Sequence, residues 1–182
     1  GREWQLRPGA VSSRSWEQGR LAALYALAQG AAPLTVATAD GLMARTLPAS
    51  ALLASTLTLR PGGRAAPAAR AEKLTAAGYS RCEQVEGVGQ FALRGGILDV
   101  FSPLMENPVR CEFFDDEVDS LGSFDPGTQR RVRNEKSARL LPAAEVLPRC
   151  APGGLAGLAG ALSALAARLA KKQKTETVVE TL

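Results

Sequence analysis

The sequence predicts a chain of mixed class: an α/β flanking domain, discontinuous along the chain, holding an inserted α+β module built on an antiparallel sheet. Three observations predict it. Residues 15–45 read as helix, short apolar run, helix, which is the pattern of an α/β layer with a parallel sheet. From Tyr79 to Leu121 the hydrophobic period falls to two, between closely spaced turn residues. After Cys150 a leucine stripe of helical period returns. The module is placed at 47–133, and the flanks, 1–46 and 134–182, are expected to pack together as one domain.

The first helix is expected to start near Ser15, where Ser15 and Gln18 fit a capping box, and to stop at Gly30. Trp16, Leu21, Leu24, Leu27 and Ala28 share one broad face. Leu34 to Thr38 reads as a short buried strand, and Asp40 to Arg45 as a second helix. Pro48 ends that pattern, Leu57–Leu59 reads as a strand, and Arg60 to Arg70 as a loop rich in Pro, Gly, Ala and Arg. Ala71 to Ala77 is a short helix stopped by Gly78. Strands are then expected at 81–85, 90–94, 97–101, 109–114 and 118–121. Gly87-Val88-Gly89, Gly95-Gly96, Pro103, Asn107-Pro108 and Asp115-Asp116 separate them.

Composition excludes more than it selects. The chain has 182 residues, 46% of them apolar, enough for a real core, while aromatics at 5% leave that core to Leu, Val and Ala. A net charge of +4, spread along the chain, permits a nucleic-acid partner without arguing for one. Histidine is absent, which removes Ser-His-Asp and Cys-His catalysis and histidine-ligated metals. Cys82, Cys111 and Cys150 are far apart and form no Cys-x-x-Cys pair, so free buried thiols of a reducing cytoplasm are expected. Gly1 to Trp4 opens no apolar run, so no secretory signal is expected. Ala151 to Ala167 is uncharged but short for a membrane span and holds Pro152. Its Leu155, Leu158, Leu162, Leu165 and Leu169 form one stripe, expected to pack on a neighbour.

No Gly-x-x-x-x-Gly-Lys-Ser/Thr segment occurs. Gly87-Val88-Gly89-Gln90-Phe91-Ala92 matches a loose dinucleotide fingerprint, but Gln90 to Arg94 reads as a strand rather than a helix N-terminus, so the glycines are expected to shape a hairpin. Asp115, Asp116, Glu117 and Asp119 read as a solvated hairpin tip rather than a calcium loop. No cofactor, metal or catalysis is expected from this stretch. Alternation in 90–94 puts Phe91 and Leu93 in the core and Arg94 on the open face, with Arg81 nearby. An arginine pair on a sheet face suits a carboxylate-bearing protein partner. Asp99, inside an apolar strand, is expected to pair with an arginine, and Gln129 to Arg133 to be a solvated basic linker.

Longer blocks carry a resemblance. Gly78-Tyr79-Ser80-Arg81, Val85-Glu86 and the run Gly89 to Phe101 resemble the bacterial transcription–repair coupling factor family, Mfd. So do Pro108-Val109-Arg110, Glu112-Phe113-Phe114, Asp116 to Ser120, Phe124-Asp125-Pro126, Thr128-Gln129-Arg130 and Leu141-Pro142-Ala143 with Glu145. Gly96 and Thr128 to Arg130 favour that family over the related UvrB, while Asp115 (commonly Gly) and Arg131 (often Ser) depart from its pattern. The resemblance implies a UvrB-like module from the N-terminal region of an ATP-driven DNA translocase of nucleotide excision repair. That module recruits UvrA, between flanks like a helicase domain without ATPase motifs. RNA polymerase, double-stranded DNA, ATP and magnesium belong, by the same resemblance, to other domains. It carries UvrA contact onto Arg81 and Arg94, and onto Phe101 and Phe91. The alternative is a DNA-binding piece of a UvrB-type damage-recognition helicase.

Overall fold

The computed structural model describes residues 15–43 and 45–180, with side chains from 17 to 171 apart from residue 44. Helix α1 spans Ser15–Ala28 and buries Leu21 and Tyr25. Gly30 ends it in the left-handed region (φ +66°), and the N–H groups of Gly30 and Ala31 return to the carbonyls of Leu27 and Ala26. The Gln18 amide donates to the Val88 carbonyl at 3.2 Å, tying α1 to a distant loop. The side chains of Ser15 and Trp16, and so their predicted roles, lie outside the described residues.

Leu34 to Thr38 is not a buried strand. It is exposed and no described residue pairs with it. An apolar run becomes a strand only where a neighbour supplies both the ladder and the cover. Helix α2, Ala39–Met43, comes next, as expected. Helix α3, Ala49–Ala54, was not foreseen; Pro48 precedes it as its N-cap rather than ending structure. Helix α4, Pro67–Ala76, begins inside the predicted loop. Pro67 sits in its first turn, where a missing N–H and a fixed φ cost nothing.

Strand β1, Leu57–Leu59, pairs antiparallel with β8, Ala138–Leu140. The main sheet has six strands in sequence order: β2 Ser80–Arg81, β3 Gln90–Arg94, β4 Ile97–Val100, β5 Val109–Phe114, β6 Glu117–Phe124 and β7 Arg131–Asn134. Every neighbouring pair is antiparallel except β2 and β3, which run parallel. The glycines at 87 and 89 therefore lie on a return loop, not at a hairpin tip. The basic run 129–133 is not a linker either, because β7 grows out of it and forms one edge of the sheet. The acidic cluster does stand at a hairpin tip, with Asp115 at φ 56° between β5 and β6.

One face of the sheet carries the main core. Ala71 and Leu74 of α4, with Ala77 just after it, pack with Phe91, Leu98, Val100, Val109, Cys111, Val118 and Leu121. Leu59 and Leu140 bring the β1–β8 pair into the same cluster. A smaller cluster of Val85, Ala92, Phe101 and Phe124 seals part of the opposite face. The chain divides into two compact units, 1–146 and 147–182. The second holds a short helical turn at Pro148–Cys150 and α5, Gly154–Glu180, along which Leu155, Leu162, Leu165 and Leu169 are exposed. Of the three free thiols only Cys111 is buried, which pushes it up to about 11, and Cys150 is exposed. Among the described residues no helix is long and apolar enough to cross a membrane.

Phe91 is completely buried at the centre of the main cluster. Phe91→Ala should destabilise the chain by about 3–5 kcal/mol in urea unfolding, the cost of a large cavity. A loss under about 1 kcal/mol would mean that the site collapses around the void.

Candidate functional site

Strand alternation divides the sheet residues between its two faces. On β3, Phe91 and Leu93 join the main core, while Ala92 and Arg94 point the other way. Register then carries the second face across the strands. Ala92 stands beside Asp99, Asp99 beside Arg110, and Arg110 beside Gly122. In the next row Arg94 stands beside Ile97, Ile97 beside Glu112, and Glu112 beside Ser120.

Asp99 organises the first row. It is 1% exposed. A carboxylate so far from water is held charged only by cations and hydrogen bonds. The Arg110 guanidinium closes on it as a fork, Nε to Oδ1 at 2.7 Å and Nη2 to Oδ2 at 2.8 Å. Arg94 adds Nη2 to Oδ2 at 3.1 Å, while its side chain remains 53% exposed. Hydrogen bonding to Asp99 raises Arg110 above the ordinary arginine value. Arg110 also stacks on the Phe124 ring, 4.5 Å from its centroid, and donates to Gln129 Oε1 at 3.1 Å. Gln129 reaches that position with a positive φ of 61°, on a turn that Asp125 closes by accepting from the Thr128 backbone and hydroxyl. Those bonds hold the Asp125 carboxyl below its usual range.

Glu112 organises the second row. Arg131 reaches over from β7, with Nη2 at 3.5 Å from Glu112 Oε1 and 2.9 Å from Ser120 Oγ, and Nη1 donating to Asn134 at 2.9 Å. Gly122 makes room for it: a Cβ there would meet Arg131 Nε at 2.9 Å. Ile97 is partly exposed beside these charges, and Phe114 ends β5 with 80% of its surface open.

The residues singled out from sequence fare differently. Arg94 stands on the open end of this face as expected, although it is also paired to Asp99. Arg81 is exposed, but its register partner is Phe91, so it takes the opposite parity from Arg94; the next residue, Cys82, is the one that packs beside Ala92. The two arginines therefore do not project as one pair. Phe91 (0% exposed) and Phe101 (8%) belong to the two cores, and neither offers a contact surface. Arg110, Glu112, Arg131 and Phe114 were missed. The first two and Phe114 were legible in the alternation of 109–114, which places all three on one side. Gly87 to Gly89 leads into β3 rather than a helix, and Gly89 approaches Gln18 and Ala143 instead. No metal-holding group of His, Cys, Asp or Glu occurs among the described residues.

The face can present arginine to a carboxylate-bearing partner from a prearranged position, since Asp99 restricts Arg94 before any partner arrives. Asp99→Ala should cost about 3–5 kcal/mol of stability, because it strands the Arg110 charge. Arg94→Ala should cost at most about 1 kcal/mol, because its half-exposed end is screened by water. Equal costs in urea unfolding would refute this division.

Residues 57–145 match the family model described as the UvrB interaction domain. A transcription-repair-coupling factor of Myxococcus xanthus is 41% identical over 129 residues, covering 70% of this chain and 11% of the relative. Its counterpart in Bacillus subtilis is 35% identical over 140 residues, covering 77% and 12%. That of Escherichia coli is 38% identical over 126 residues, covering 69% and 11%. The chain thus spans about a tenth of the length of the curated relatives it matches.

Proposed function

Because the chain belongs to the transcription-repair-coupling factor family, we propose that its six-stranded module is a docking site for UvrA, acting as an adaptor rather than a catalyst. The observation that carries this reading is Arg94, half exposed on a sheet face and steered by a buried carboxylate, inside the stretch that matches the UvrB interaction domain. Arginine so placed suits a hot spot, because the fork is aimed before binding. Arg81, on the other parity of the edge strand, would serve as a separate rim contact.

The rest of the reading goes with the parent protein. The flanking helices would belong to a helicase-like domain without ATPase motifs. RNA polymerase, double-stranded DNA, ATP and magnesium would be handled by other regions of a cytoplasmic repair factor. A second reading, direct DNA binding, is favoured by one feature, the exposed Arg130, Arg131 and Arg133 around edge strand β7. Against it, exposed Ile97 and Phe114 border the adjoining face, apolar surface that a phosphate backbone would leave uncovered.

Calorimetry or surface binding with purified UvrA tests the adaptor role. The chain should bind, and Arg94→Ala should weaken binding by about 2 kcal/mol, on the order of thirtyfold, with its melting temperature little changed. Tight, steeply salt-dependent binding to duplex or bubble DNA together with no affinity for UvrA would reverse the choice. The purified chain should hydrolyse no ATP, since it carries no phosphate-cradling loop; a persistent rate lost with a vanadate-type phosphate mimic would overturn this.

A further inference from the structure

Arg131 is the least expected member of the charged face. It starts β7 on the far edge of the sheet, yet its guanidinium lies across β6, over Gly122, and ends against Glu112 of β5. Gly122 allows this because it has no Cβ; any other residue would put an atom where the guanidinium lies. Hydrogen bonds to Asn134 and Ser120 and an ion pair with Glu112 fix the group, and the side chain is still 37% exposed. Arg94 is fixed in the same manner at the other end, by Asp99. Arg94 reaches from β3 to Asp99 on β4 and Arg131 lies over β6, so with strands about 4.8 Å apart the two guanidinium groups stand about two strand spacings apart, about 10 Å.

We propose that Arg131 is a second, specificity-determining cation of the docking face, and that Arg94 and Arg131 together select an acidic segment of the protein partner presenting two carboxylates at that spacing. This deepens the reading of the face as a UvrA site and rests on it. Within the network three guanidinium groups meet only two carboxylates, so the paired face keeps an uncompensated positive charge. Both exposed arginines retain N–H groups beyond those their internal partners use. The occupant is a protein rather than a nucleic acid because exposed Ile97 and Phe114 border the face, as apolar surface that a phosphate backbone does not cover.

Binding of purified UvrA to wild type, Arg131→Ala, Arg131→Lys, Arg94→Ala and the double alanine variant, at low and high salt, tests this. Arg131→Ala should weaken binding about fivefold at low salt and flatten the salt dependence, as loss of a rim charge does. Arg131→Lys should recover part of the loss, since it keeps the charge without the fork. The melting temperature of each variant should stay within a few degrees of wild type. If Arg131→Ala binds UvrA like wild type while Arg94→Ala does not, the inference falls and the docking site stands. If the wild-type chain does not bind UvrA, both fall. A variant that melts earlier with unchanged affinity would make Arg131 structural only. Lost affinity for a duplex DNA probe, with UvrA binding intact, would make phosphate the occupant and overturn the proposal.

Discussion

The buried carboxylate of Asp99 is the constraint on which the sheet module depends. A charge with 1% of its surface exposed is tolerable only if cations come to it, and two do, from the strands on either side. That requirement fixes the register of β3, β4 and β5 as firmly as the apolar pattern does. A one-residue slip of β4 would bring Leu98 to the arginines and push Asp99 into the main core. The pair adds little net stability against the cost of stripping water from both partners. Its contribution is to make any other register far worse, which is specificity rather than strength.

The same carboxylate explains why one face of the sheet has two characters. Toward Ala92 and Phe101 it is sealed by a small apolar cluster. Toward Arg94 it is open. The boundary falls at Arg110, whose guanidinium lies on the Phe124 ring with its edge on Asp99. A planar, weakly hydrated cation can belong to both sides at once, and a lysine could not. The open end is thereby stiffened from beneath. Arg94 and Arg131, long side chains that would lose much rotamer freedom on binding, have lost part of it already.

Much of this was legible in the sequence, and the exceptions share a cause. Strands β3, β4 and β5 announce themselves by alternation and turn residues, and the stop at Gly30 by local chemistry. Such signals live within a few residues. What failed depended on partners far away in the chain. Leu34 to Val36 looks like a strand, but a ladder needs a neighbour that the described residues do not supply. Strand β7 hides in a run of arginines because an edge strand with both faces wet has no apolar period to show. The pairing of Asp99 was readable, since a lone acid among apolar residues must find a cation. Which cation was not, because Arg110 lies eleven residues away and meets Asp99 only through the β4–β5 register. Arg81 was misplaced for the same reason. Its face is set by a parallel pairing that short-range signals do not distinguish from an antiparallel one.

That parallel pairing is itself decided outside the strand. Gly78 adopts a φ of 86° at the end of α4, and a Cβ there would lie 2.8 Å from that of Ala144. The helix end and the segment after β8 therefore touch backbone to side chain, and the chain leaves α4 in one direction only. Tyr79 comes next, buried, with its hydroxyl donating to the Leu141 carbonyl, while the Leu141 N–H donates to the Ser102 hydroxyl at 3.0 Å. Beyond it Glu145 is buried against Arg20 of α1 at 3.2 Å, and its N–H donates to Glu17 of the same helix at 2.8 Å. Residues 141–145 thus clamp helix α1, the end of α4 and the loop after β4. Strand β2 can enter only along the free edge of β3, running parallel to it. The placement of Arg81 at the rim is a consequence of that clamp, and of a glycine three residues before it, more than of the two residues that form the strand.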